Sequence, residues 1–290
     1  MKVKPFVSLF FLALSLGVFG ELQNKAGSQD ITAVVESARK YCAKMDKAAL
    51  DFICLERIKE ESNTRRGPIG TAIGGGVNAW GQSTGLKTKA APPESFNTVV
   101  SQYNYMYVRR GGSVTEKRDL LKRSGEEIEQ KDAPLTTRHF KFNDVFFGPS
   151  MLLGEAAAAE HDYTFVENDK IKRDPVVVVA CNAKPEWVGK TLTGKAWVRV
   201  KDGAVLRISW DPESFSGWKE VEAIAEDLKM NPAITSETEF GIERNGIRFP
   251  TRDRTEETYK KGSMTFTRSM VTVTYDDYKF FTVGTEIQIR

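Results

Sequence analysis

The chain has 290 residues, with 42 Lys and Arg against 39 Asp and Glu, so its formal charge is only +3. Charges so evenly interspersed leave no electrostatic footprint for nucleic acid. Three cysteines, an odd number, do not make a disulfide framework, and two histidines leave little material for general-base chemistry.

Lys2 and Lys4 precede the apolar run PFVSLFFLALSLGVFG, in which Val18 and Gly20 hold the small-residue positions that a signal peptidase reads. Residues 1–20 therefore read as a cleavable secretory signal, too short at its apolar centre for the ~20 residues of a spanning helix. The mature chain would start near Glu21, and no cysteine follows the run to carry a lipid. Loss of Lys2 and Lys4 lowers the formal charge to +1. The expected location is the periplasm rather than the extracellular space, and no later segment is apolar enough to span a membrane as a helix.

Residues 21–62 are expected to hold a helix and a first strand. From Asp30, an N-cap, Ile31, Val34, Val35, Ala38, Tyr41, Cys42 and Met45 recur at helical spacing. After DKAA the pattern alternates, placing Leu50, Phe52, Cys54, Glu56 and Ile58 on one side of a strand. On one continuous helix Cys42 and Cys54 would lie ~18 Å apart, but the break between helix and strand makes a disulfide between them possible.

Residues 63–97 contain GPIGTAIGGGVNAWGQ, which lacks the Gly-Lys-Ser/Thr of a phosphate loop and the strand, helix and later acid of a dinucleotide site. It reads as a flexible Gly/Pro-rich loop, although Ile69, Ile73, Val77 and Trp80 would let it rest on a surface or over a groove.

Residues 98–290 are expected to complete one β-rich domain. Tyr103, Tyr105 and Tyr107 share a strand face, a reading that favours cross-strand packing over a site. RHFKFNDVFFGP directs Phe140 and Phe142 inward. In GKAWVRVKDGAVLRISWD a three-residue loop, Lys201 to Gly203, pairs Val198 with Leu206 and Ala196 with Ile208, with Arg199 and Arg207 on the opposite face. In EFGIERNGIRFPTR, Asn245 and Gly246 form a two-residue turn that sets Ile242 against Phe249 and Glu243 against Arg248. Helices are expected at 149–161 and 218–230, and the tail from Ser263 as one or two long strands. The fold class is α+β: a strongly curved antiparallel sheet with helices covering its concave face.

No catalytic residue, cofactor or metal site is expected. His139 and His161 read as solvated surface residues, and no His-Glu-x-x-His, Gly-x-Ser-x-Gly or calcium loop is present.

The signal, the helix passing into a strand, FGPSMLLGEA, GKAWVRVKDGAVLRISW and NGIRFP, in that order, resemble the bacterial periplasmic lipoprotein-carrier superfamily, the LolA/LolB-like half-barrels. The resemblance implies an apolar cavity between sheet and helices that accepts acyl chains. Its expected lining is Phe140, Phe142, Val198, Leu206, Ile208, Trp210, Phe240, Ile242 and Phe249, under a lid of Met151, Leu152 and Leu153. The leading functional expectation is an exported, non-enzymatic binder of a hydrophobic ligand such as a lipid or acyl chain. An envelope scaffold that binds another protein is the alternative, and a carboxylate-based hydrolase the third.

Overall fold

A computed structural model describes residues 30–48, 51–65, 67, 95–110, 113–135, 137, 145–215 and 218–281. Helix α1 (Ile31–Lys47) starts where expected, the Asp30 side chain accepting the Thr32 N–H at 3.0 Å. It buries Val35, Ala38, Tyr41, Cys42 and Met45, the stripe set by helical spacing. It leads into β1 (Asp51–Asn63), whose buried side alternates through Phe52, Cys54, Glu56 and Ile58.

The strands that follow are β2 (Phe96–Arg110), β3 (Ser113–Arg123) and β4 (Glu126–Gln130), then β5 (His161–Ile171), β6 (Asp174–Ala183), β7 (Gly194–Arg199) and β8 (Val205–Trp210). The last are β9 (Asn231–Glu239), β10 (Ile242–Arg244), β11 (Ile247–Phe249), β12 (Arg252–Lys261) and β13 (Met264–Phe281). Eleven of them form one open antiparallel sheet in the order β4-β3-β2-β1-β13-β12-β9-β8-β7-β6-β5. β1 thus pairs with β2 on one side and with the last strand on the other.

Short helices α2 (Gly148–Leu153) and α3 (Ala157–Glu160) precede β5, and α4 (Trp218–Leu228) precedes β9. A 3-10 turn, Val145–Phe147, leads into α2. The sheet's curvature follows from this segment. The Phe147 ring lies 5.8 Å from that of Tyr107 on β2, while a Cβ on the next residue, Gly148, would lie 3.0 Å from the ring of Trp210 on β8. β2 and β8 are five places apart in the sheet, ~24 Å if it were flat. Neighbouring residues meet both because the sheet curls around them, which gives the expected α+β architecture its concave face.

The β10–β11 hairpin departs from the sheet and forms its own two-stranded ribbon between β9 and β12. Its register is the expected one, Ile242 opposite Phe249 and Glu243 opposite Arg248. It lies against α1, where the Arg248 N–H donates to the Tyr41 hydroxyl at 2.9 Å.

Three expectations need correction. The helix expected at 149–161 is two short ones: α2 ends at Gly154, and His161 already pairs with Ala183 as the first residue of β5. The four alanines bring helix propensity but little apolar bulk, and strand pairing prevails. Ala196 does pair with Ile208, but a bulge sets Val198 opposite Val205 rather than Leu206. In the loop that follows, Arg199 clamps Asp202 at 2.8 and 2.6 Å and is itself buried. His161, finally, is no surface residue. It is 2% exposed, its Nδ1 3.0 Å from the Ala157 carbonyl and its Nε2 2.7 Å from that of Leu192. His139 lies outside the described residues.

Candidate functional site

One apolar cluster fills the concave side. At its centre the Phe249 ring stands 5.6 Å from Phe52, 5.2 Å from Phe146, 5.5 Å from Tyr278 and 4.8 Å from Phe280. Phe52 in turn stacks on Tyr107 at 5.0 Å. Alternation on β1, β2 and β13 brings these rings to one face, and the hairpin lowers Phe249 among them.

Of the expected cavity lining, Val198, Leu206, Ile208, Phe240 and Phe249 belong to this cluster as buried members, and Trp210 and Ile242 pack against it half-buried. Phe140 and Phe142 lie outside the described residues. In the expected lid, Leu152 and Leu153 are fully buried and Met151 is half-buried. Leu152 and Leu153 belong to the same cluster as the described lining residues, and Met151 lies outside it.

Cys42 and Cys54 are both free and buried, as is Cys181, so the bridge considered for the first two is absent. Their surroundings explain it. Cys42 sits beside Ser150 and Asp46, whereas Cys54 faces Tyr278, Glu56 and Arg118. Burial pushes the Cys42 thiol up to about 12 and raises the other two as well.

Next to the rings runs a buried polar strip that sequence reasoning did not anticipate. Arg118 on β3 grips Glu56 on β1 through two hydrogen bonds, 2.7 and 3.1 Å, and lies 4.5 Å over the Tyr105 ring. Burial raises the Glu56 carboxyl, opposed by that guanidinium. Further along, the Trp210 indole donates to Thr238, whose hydroxyl donates to Asp253. Asp253 is 3% exposed, its Oδ1 has no hydrogen-bond partner among the described residues, and burial lifts its carboxyl to about 7. Position alone would have placed Glu56 and Asp253 on inward faces. Their partners come from strands far apart in sequence, so nothing local marks them.

The described residues open outward at one end of the cluster. A groove of about 740 Å³ runs between the last turns of α1, the β10–β11 hairpin and the end of β13. Ala43, Ala48, Ile247, Phe280 and Phe281 form its apolar part. Lys40, Lys44, Lys47 and Arg244 border it with positive charge. Ile247 and Phe280 connect it to the rings, Phe280 directly against Phe249. The sequence carried one unread signal for it: Lys40, Lys44 and Lys47 follow at i, i+4 and i+7, one stripe of α1 turned away from the buried one.

No protein-family model matches the sequence, and a search of curated proteins finds no match. Solved structures are similar in overall course. A DUF1329 family protein from Desulfovibrio piger shares 9% identity over 91% of this chain and 96% of its own, at a TM-score of 0.36. A putative outer membrane lipoprotein-sorting protein domain from Vibrio parahaemolyticus shares 9% over 89% and 96%, at 0.38. A LolA superfamily protein from Nitrosomonas europaea shares 10% over 91% and 99%, at 0.33. At these identities no residue's role passes from them to this chain. The chain's own topology, an open curled antiparallel sheet around α1 and α2, is the α+β architecture expected from its sequence.

Proposed function

We propose that the protein is an exported, non-enzymatic binder of a hydrophobic ligand, a lipid or acyl chain, acting in the periplasm. The observation that carries this reading is the groove beside α1. Its floor of Ala43, Ala48, Ile247, Phe280 and Phe281 continues into the ring cluster, and Phe281 is 48% exposed. An acyl chain laid on that floor would remove apolar surface from water at ~0.8 kcal/mol per methylene, a sufficient driving force with few polar anchors. The reading adds to the lining expected from sequence, whose described members are buried or half-buried, the groove that opens beside it.

The test is uptake of a fluorescent fatty acid by the protein purified without detergent. Micromolar binding is expected, weakened at least about tenfold by Phe281→Ser and by Ala43→Trp, which fills the groove. Both positions are exposed, so the variants should fold as the parent does. A parent protein that takes up none of the probe, with no lipid mass co-purifying in native mass spectrometry, would remove this reading and leave the envelope scaffold.

A further inference from the structure

We infer that the ligand of this groove is an anionic amphiphile, its acyl chain on the apolar floor and its phosphate or carboxylate held by the cations at the rim; this rests on the binding function proposed above. Among the described residues that line it, four of ten, Lys40, Lys44, Lys47 and Arg244, are cationic and none is acidic. The acids nearby are already engaged. Glu36 pairs with Arg39 at 3.1 Å and more distantly with Lys40 at 3.7 Å, which leaves Lys40 the rim cation already partly balanced, and Glu243 pairs with Arg199 at 3.2 Å and Arg248 at 2.8 Å. Asp51, opposite Phe281 in the sheet, is buried at 6% exposure and outside the lining.

Lys44 and Lys47 fall in the last turn of α1, where the helix dipole favours cations by itself. That does not account for Lys40, a turn earlier, or for Arg244, which arrives from the hairpin and lies 4.7 Å over the Phe280 ring. Two elements remote in sequence thus bring positive charge to the same apolar floor. Among the described residues Lys44 reaches the Gly246 carbonyl alone, at 3.5 Å, leaving most of its donors to a ligand. Charge beside apolar area suits a ligand of the same two-part chemistry, and a neutral lipid would leave the cations unused.

The experiment compares lysophosphatidylglycerol with lysophosphatidylcholine of equal chain length, each below its micelle concentration, by titration calorimetry on the full protein. The anionic lipid is expected to bind about tenfold tighter, the size of two or three exposed charge pairs, and the difference to shrink with added salt. Lys40→Gln, Lys44→Gln and Lys47→Gln together are expected to bring both lipids to the weaker affinity. Equal binding of the two lipids by the parent protein, or a preference untouched in the triple variant, overturns the inference while the binding function stands. Binding of neither lipid defeats the binding function itself. Sedimentation with phosphatidylglycerol vesicles without uptake of the monomeric lipids overturns the inference in favour of contact with a membrane surface.

Discussion

Asp253 is a residue through which pH acts on the folded chain. Its carboxyl keeps its proton up to about pH 7 when folded, against ~4 in an unfolded chain. Between those values the folded state holds the extra proton, so Asp253's contribution makes stability fall as pH rises through the window and level off above it. Asp253→Asn should remove that slope, keep the bond from Thr238, and stabilise the protein at pH 8 by up to about 4 kcal/mol in urea denaturation. A variant no more stable than the parent at pH 8 would contradict this. The cysteines give a second expectation. Buried and free, all three should stay unmodified by a thiol-reactive dye in the native protein and all three should react once it is unfolded. A count of one after unfolding would mean that a bridge forms after all. Periodicity placed Cys42 and Cys54 on inward faces, but the neighbours that surround Asp253 and the thiols come from elements that meet only in the fold.

The β10–β11 hairpin shows what a short element contributes when it leaves the sheet. Its two strands span only Ile242–Arg244 and Ile247–Phe249, yet Phe249 touches four other rings and Arg248 ties it to Glu243. Phe249→Ala should cost about 3–5 kcal/mol of stability, measured by chemical denaturation. A loss below ~1 kcal/mol would mean that the ring cluster closes over the gap. The hairpin's register was legible because Asn-Gly turns leave one pairing that keeps apolar opposite apolar. Its placement was not, since nothing in eight residues says that they fold over the sheet instead of joining it. The β7–β8 loop is the converse case. Gly203, at φ +72°, does hold the left-handed position, and a Cβ there would lie 2.3 Å from the Ser37 carbonyl, so the loop docks tightly on α1. The bulge that shifts the strand pairing beside this loop was not disclosed by local pattern.

At the scale of the whole molecule, the alternation along β1, β2 and β13 and the stripe on α1 made the sheet and its main covering helix legible, because each depends on periodicity within one segment. The groove was not legible, since it joins α1, the hairpin and the end of β13, three pieces distant in the chain. Export is the expectation to check first: N-terminal sequencing of the protein recovered from the periplasm should begin at Glu21, and a chain retaining Met1 would refute the signal. Finally, the position of β13 bears on how the chain comes to be folded. It is the last of the described strands, yet it lies between β1 and β12, joining four strands on one side to six on the other. A chain emerging from its N-terminus can form hairpins as it goes, but its two halves have no seam until Met264–Phe281 arrives. Contacts spanning more than two hundred residues make that closing step slow, so the seam between the two halves is the last part of the sheet to form.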